Sequence, residues 1–197
     1  MPNWCSNEIT ITGDVSEIVK ALDSIDNKEE RNVFKTLIGI PEGMTIEDYE
    51  NDWYNINLNR FGTKWDISYE DCEPQEFDGG LLITPNTAWS PPIEFCVNLA
   101  KKYGVELEMY YYESGMDFCG KTYINSDGTH REEDYRYVEG LYHFESDYFW
   151  LEIRDYVEYA IEEDQSIDEF LEEHTYLNEE DKEEVIKIFK DNESIRN

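Results

Sequence analysis

The sequence has few basic residues for its length. Only 16 of its 197 residues are Lys or Arg, whereas 47 are Asp or Glu, and the formal net charge is −31. Such a field repels nucleic-acid phosphates and anionic membrane surfaces. We therefore expect no direct nucleic-acid partner and no membrane partner. A partner, if there is one, is expected to be a basic protein or a protein whose own site binds nucleic acid. Solubility alone is the alternative explanation of the charge.

Long apolar runs are also absent, because charged residues interrupt every hydrophobic stretch after a few positions. This pattern predicts no transmembrane helix. The first twenty residues have neither a basic start nor an apolar segment, so we expect no signal peptide. The expected location is the cytoplasm, where the four widely separated cysteines would remain reduced thiols. They are Cys5, Cys72, Cys96 and Cys119.

The usual signatures of enzyme and cofactor sites are missing as well. The sequence has no phosphate-binding glycine-rich loop, no nucleophile elbow and no dinucleotide fingerprint. Its three histidines, His130, His143 and His174, have no partner at metal-ligand spacing. We therefore predict no cofactor, no metal and no catalytic residue. An enzyme is the less favoured class, and a Cys–His pair formed in the folded chain stays open.

The pattern of apolar residues predicts an α+β fold for residues 1–146. Ile9 and Ile11 alternate with polar residues up to Gly13, which is typical of a strand with one buried face. Helical spacing follows this strand, then recurs over residues 46–61 and after Ser90-Pro91-Pro92. Strands are predicted at 63–69, at 81–90 with a bend or an end at Pro85, and at 105–112, with a hairpin to 116–125. This order indicates an antiparallel sheet with helices on one face.

From residue 147 onward the pattern changes to amphipathic helices, so we predict a second domain at 147–197, an acidic helical extension. Ser166 and Glu169 have the spacing of a capping box, and Asn178 precedes the next apolar stripe. Residues 131–197 hold 23 acidic and 7 basic residues, whereas residues 1–130 hold 24 and 9. About half of the net charge therefore lies in one third of the chain.

Three segments carry a family resemblance. They are MPNWCSNEITITG at the start, FGTKWD at 61–66, and the run AWSPPIEF…LAKKYG…YYESGMDFCG within 88–120. In this order they resemble the YubB-like ferredoxin-like domain family of plasmid and phage proteins. The resemblance covers about residues 1–125, and it implies a ferredoxin-like α+β sandwich in a protein located in a bacterial host cell. It supplies no catalytic residues, and the acidic extension lies outside it.

The charge and the resemblance together favour a non-enzymatic protein that binds another protein. Carboxylates one helical turn apart lie about 5–6 Å from each other. Acidic helices can therefore occupy a groove built for DNA or RNA, and the protein would inhibit a host defence or nucleic-acid-handling protein as a nucleic-acid mimic. The residues expected to form this face are Glu169, Glu172, Glu173, Glu179, Glu180, Glu183 and Glu184.

The alternative is a small-ligand-binding protein or an enzyme whose site lies between the sheet and the C-terminal helices. Tyr110 and Tyr112 are predicted on the outward side of a strand, either as a binding surface or beneath the helices. A concave, partly apolar pocket lined by Tyr110, Tyr112, His143 or Trp150 would favour this class. The sequence leaves the oligomeric state open.

Overall fold

The computed structural model describes residues 3–196 of the chain, with side chains described through residue 192. Contacts divide it into two compact units, Met1–Asp134 and Tyr135–Asn197. Met1, Pro2 and Asn197 lie outside the described residues. The domain boundary predicted after residue 146 stays a prediction. It states which segments fold independently, and a division by contacts does not test that.

Among the described residues, the first unit contains five short to medium helices and a sheet whose last strand ends at Tyr135, the first residue of the second unit. The strands are β1 (Trp4–Thr12), β2 (Gln75–Phe77), β3 (Gly80–Ile83), β4 (Asn86–Ala88), β5 (Glu106–Glu113), β6 (Phe118–Ile124) and β7 (His130–Tyr135). The helices are α1 (Ser16–Asp23), α2 (Val33–Ile38), α3 (Ile46–Phe61), α4 (Tyr69–Cys72) and α5 (Ile93–Tyr103), with a 3-10 turn at Ser114–Met116. The second unit is helical and contains α6 (Tyr137–His143), α7 (Phe149–Glu162), α8 (Ile167–Glu173) and α9 (Glu179–Arg196).

Strand β1 is the centre of the sheet, whose order is β2-β3-β1-β5-β6-β7. Its first half pairs with β4 and its second half with β3 on the same edge, and both pairings are antiparallel. The chain bends at Pro85 between those two strands. The buried amide of Asn7 bridges the bend, since its Nδ2 donates to the carbonyls of Cys5 and Pro85 and to Thr87 Oγ1 at 2.9 Å each.

One face of the sheet is buried, as the alternation of the sequence predicts. Ile9 and Ile11 on β1 and Leu107 and Met109 on β5 are nearly inaccessible, and they belong to one core with side chains of α1, α2 and α5. Burying a large apolar side chain stabilises the fold by about 1.5–3 kcal/mol. The α+β fold with an antiparallel sheet and helices over one face is therefore confirmed.

Helix α3 begins and ends where the sequence predicts. Thr45 and Asp48 form a capping box at its start. Gly62 ends it in a left-handed conformation with φ 75°. A Cβ at Gly62 would lie 3.3 Å from the backbone nitrogens of Ile93 and Glu94, so glycine also allows the close approach of α5.

The strand predicted at 63–69 is wrong, because side chains in this segment bind to helix ends instead. The Asp66 carboxylate accepts backbone N–H groups of Phe34 at 2.7 Å, Lys35 at 2.9 Å and Ile67 at 2.8 Å. Ser68 caps α4. The contact with α2 spans more than thirty residues, so a local pattern does not reveal it. Ser90 is not a helix cap either, since its hydroxyl donates to the carbonyl of Gly62 at 2.6 Å.

Burial of Asp66 leads to a prediction about pH. Burial raises the pKa of this carboxyl from 3.8 to about 6, although its three N–H partners and Lys35 oppose the shift. The folded state then binds this proton more tightly than the unfolded state does. Its contribution to stability is therefore complete below about pH 3.8 and is lost as the pH rises through about 6, by on the order of 3 kcal/mol.

The measurement is the free energy of unfolding in urea at a series of pH values, for the wild type and for Asp66→Asn, which cannot titrate. We expect the stability of the wild type relative to the variant to fall as the pH rises over this window. A relative stability that increases with pH would show that the N–H hydrogen bonds outweigh burial and that the folded carboxyl prefers its charged form.

Candidate protein-binding surface

The amphipathic helices of the second unit bury the apolar stripes that the sequence predicts. Helix α7 packs against α9, and α8 contacts α9 through the rings of Phe170 and Phe189, whose centroids are 6.2 Å apart. His174 also stacks on Phe170 at 4.1 Å and is buried, with its Nδ1 2.8 Å from the Phe170 carbonyl. The residues of the stripes that are buried are Phe149, Ile153, Val157, Phe170, Val185 and Phe189.

Side-chain caps determine where the two acidic helices begin. Ser166 and Glu169 form the predicted capping box, in which the Glu169 carboxylate accepts the Ser166 amide at 2.9 Å and its hydroxyl at 2.7 Å. Asn178 Oδ1 accepts the amide of Asp181 at 2.9 Å at the start of α9. Both helices thus have a defined start and a buried stripe, which together fix the backbone positions from which their exposed side chains extend.

The seven glutamates of the predicted interaction face divide into two groups. Three are already paired: Glu169 in its capping box, Glu179 with Lys182 at 2.8 Å, and Glu184 with Lys187 at 3.3 Å. The other four are exposed and have no hydrogen-bond or cationic partner among the residues whose side chains the structure describes. They are Glu172 and Glu173 on α8 and Glu180 and Glu183 on α9.

A groove with a volume of about 600 Å³ lies in the same unit. Its lining includes His143 and Trp150, two of the residues predicted for a ligand surface, together with Tyr142 and Asp181. Tyr110 and Tyr112 do not line this groove. They lie on β5 in the first unit, on the outward face as predicted, with ring centroids 6.1 Å apart.

The groove combines carboxylates with aromatic rings. Glu145, Asp147 and Asp181 contribute carboxylates, and Trp150, 37% exposed, contributes an accessible ring. Tyr142 donates its hydroxyl to Asp181 Oδ2 at 2.9 Å and accepts the side-chain amide of Asn178 at 3.0 Å. Negative charge beside aromatic faces suits a cation such as a Lys or Arg side chain.

Sequence reasoning missed Tyr142, Glu145, Asp147 and Asp181 as parts of this groove. The predicted cap at Asn178 located the start of α9, but no local signal connects it with a tyrosine 36 residues earlier. Helix α6, which carries Tyr142, was missed because a seven-residue helix shows too little periodicity to be recognised.

The cysteines do not provide an activated nucleophile. All four are buried. Burial raises the pKa of the Cys5 and Cys72 thiols to about 12 and that of Cys119 to about 11, and it raises the pKa of Cys96 further. These thiols stay protonated at neutral pH, and the thiolate is the reactive form.

Neither a metal cluster nor a membrane-spanning helix occurs in the part of the chain that the structure describes. Within it, no group of three or more His, Cys, Asp or Glu side chains has the arrangement of a metal site. Among the same residues, no helix is both long enough and apolar enough to cross a membrane.

The antiparallel sheet with helices over its buried face places the chain in the α+β class with a ferredoxin-like domain. A family model described as "Ferredoxin-like domain in Api92-like protein" matches residues 64–170, more than half of the chain, and the chain belongs to this family. The matched segment continues through most of α8, so the family domain includes part of the acidic helical unit. No curated protein and no solved structure matches the chain.

The packing of the helical unit is tested by Phe189→Ala. Phe189 is 2% exposed, and removing a buried phenyl ring typically costs about 3–5 kcal/mol. The matched control is Tyr159→Ala on α7, where the ring is 65% exposed and the expected change is within about 0.5 kcal/mol. The free energy of unfolding of both variants is measured in urea, with helicity followed by circular dichroism. Equal stability of the two variants would show that the Phe189 ring is not buried in the helical unit.

Proposed function

We propose that this protein acts without catalysis, by binding another protein through the exposed carboxylates of α8 and α9. The observation that carries the proposal is the group of four glutamates, Glu172, Glu173, Glu180 and Glu183, that stand on packed helices without a partner among the residues described. The packed helices fix the backbone positions of these charges before binding, so the conformational entropy lost on binding is that of the side chains. A complementary basic surface is the partner that such a face selects.

The spacing of these charges supports mimicry of a nucleic acid. Glu169, Glu172 and Glu173 are three and four positions apart on α8, and Glu180, Glu183 and Glu184 have the same relation on α9. Each set therefore presents carboxylates about 5–6 Å apart along one helix face. A host protein whose groove contacts successive phosphates can bind such a row of carboxylates. Its groove could then no longer bind nucleic acid.

The resemblance to the YubB-like proteins supports the choice of host. Within this proposal the protein belongs to a plasmid or phage, works in the cytoplasm of a bacterial cell, and inhibits a defence or nucleic-acid-handling protein there. The second unit carries the function, and the sheet of the first unit provides a stable body to which it is linked.

The test is capture of a bacterial partner from lysate at low and high salt, followed by binding measurements on the purified partner. The quadruple variant Glu172→Gln, Glu173→Gln, Glu180→Gln and Glu183→Gln should weaken binding at least about tenfold, or about 1.4 kcal/mol. Added duplex DNA should compete with the wild type, and raised salt should weaken the complex because the contacts are ionic.

A charge-matched control separates a specific face from general acidity. Four exposed glutamates of the first unit, Glu29, Glu42, Glu70 and Glu76, changed to Gln remove the same net charge from other positions. This variant should bind nearly as the wild type does. If both quadruple variants lose affinity equally, or if no basic protein is retained at low salt, the proposal is wrong.

The groove of the helical unit favours a second candidate function, binding of a small cationic ligand. Its carboxylates and the exposed ring of Trp150 provide charge and a cation–π surface for a guanidinium or quaternary ammonium group. Titration with arginine amide and with choline, followed by tryptophan fluorescence, tests it. We expect Trp150→Ala to abolish the response and Trp89→Ala, an exposed tryptophan of the first unit, to retain it. A response that survives Trp150→Ala would contradict this site.

A further inference from the structure

A second cleft, in the first unit, has cationic as well as acidic side chains in its lining. Its volume is about 300 Å³, and its lining includes Arg31, Lys35, Tyr49, Trp53 and Trp65. We call it the tryptophan cleft. Its size is at the small end of the range of about 300–1,000 Å³ typical of small-molecule sites. None of the functions considered above uses it.

The cations and rings of the tryptophan cleft lie close to one another and to two neighbours outside its lining, Trp4 and Lys64. The Arg31 guanidinium lies 5.7 Å from the ring centroid of Trp4 and 5.6 Å from that of Trp65. Lys64 Nζ lies 4.8 Å from the Trp65 ring, and Lys35 Nζ lies 5.6 Å from the Tyr49 ring. The rings attract these cations through cation–π contacts, which leave their charge in place.

These three cations form no ion pair with a described side chain. Within the described side chains, Arg31, Lys35 and Lys64 have no carboxylate oxygen within 4.0 Å, although the chain has 47 acidic residues. Two acids also line the cleft. The Asp66 carboxylate is committed to backbone N–H groups, and Glu50 is exposed at the edge. The lining therefore combines two cations that form no ion pair with two acids, and Arg31 and Lys35 can contact an anionic ligand.

Buried hydrogen bonds give the tryptophan cleft a rigid wall. The side chain of Asn57 is 3% exposed, accepts the Tyr49 hydroxyl at 2.7 Å and donates to the Lys64 carbonyl at 3.0 Å. Asp66, 6% exposed, ties the segment after α3 to the start of α2. The residues that carry the cations and rings thus stand on connected backbone, as a binding site requires.

We propose that the tryptophan cleft binds a nucleoside monophosphate. The phosphate would contact Arg31 and Lys35, and the base would stack on the accessible ring of Trp53, which is 39% exposed, or on Trp65. Arg and Lys are the side chains that recognise phosphate, and flat bases stack on aromatic rings. The net charge of −31 disfavours a long polyanion, so a single nucleotide suits the cleft better than a nucleic-acid strand.

The probes are AMP, GMP, CMP and UMP, each titrated at low salt and followed by tryptophan fluorescence and calorimetry. Adenosine and inorganic phosphate serve as half-ligands. We expect at least one nucleotide to bind with a micromolar to low-millimolar Kd and to quench fluorescence. Adenosine and phosphate should each bind at least about tenfold more weakly, because each uses only the rings or only the cations.

Two variants of the cleft have matched controls in the same unit. Arg31→Gln and Trp53→Ala should each weaken nucleotide binding at least about tenfold. Arg131→Gln removes an exposed arginine that contacts Tyr123 and pairs with Glu133, and Trp89→Ala removes an exposed tryptophan. Both controls should bind as the wild type does. Circular dichroism verifies that all four variants are folded.

Three results would overturn the proposal. They are the absence of binding by every nucleotide at millimolar concentration, an affinity for adenosine or phosphate equal to that of the nucleotide, and unchanged binding by folded Arg31→Gln. Because the tryptophan cleft lies in the first unit and the acidic face in the second, these results leave the proposed protein binding untouched. If the wild type captures no partner, in turn, the protein-binding proposal fails and nucleotide binding is unaffected.

Discussion

Burial of one face of β1 is the constraint on which the first unit depends. This strand pairs with β3, β4 and β5, and its Ile9 and Ile11 enter the core shared with α1, α2 and α5. The apolar contacts oppose the mutual repulsion of a chain with net charge −31. Repulsion between exposed charges is screened by salt and costs tenths of a kcal/mol per pair, whereas each large buried side chain contributes about 1.5–3 kcal/mol. Packing therefore prevails, and the surface is free to carry charge.

The distribution of that charge gives the two units different chemistry. On α8 and α9 the acids are presented outward, with four glutamates that have no described partner. At the tryptophan cleft Arg31 and Lys35 lie near aromatic rings and form no ion pair with a described carboxylate. A uniform acidic coat for solubility would not require either arrangement. Both are consistent with the two proposals, an acidic face for a basic protein and a cleft for a nucleotide.

Most of the fold could be predicted where the information is local. The alternation in β1 and β5, the glycine stop of α3 and the capping box at Ser166 are short-range signals, and the structure shows each of them. The segment 63–69 could not be read this way, because Asp66 bonds to residues near 34, far away in sequence. The candidate sites were predicted in part. The acidic residues were evident from composition, but the groove at Tyr142 and the cleft at Trp65 required knowledge of which distant segments meet.

The sequence by itself determined the α+β class, the outward face of β5, the amphipathic stripes of α7 to α9 and the excess of acid, since periodicity, caps and composition are encoded within a few residues of one another. Only the tertiary structure decided which glutamates remain without partners, that His143 and Trp150 share a groove while Tyr110 and Tyr112 lie elsewhere, and that Arg31 meets Trp4 and Trp65. Those facts depend on contacts between segments far apart in the chain, and such contacts are selected by the packing of the whole core.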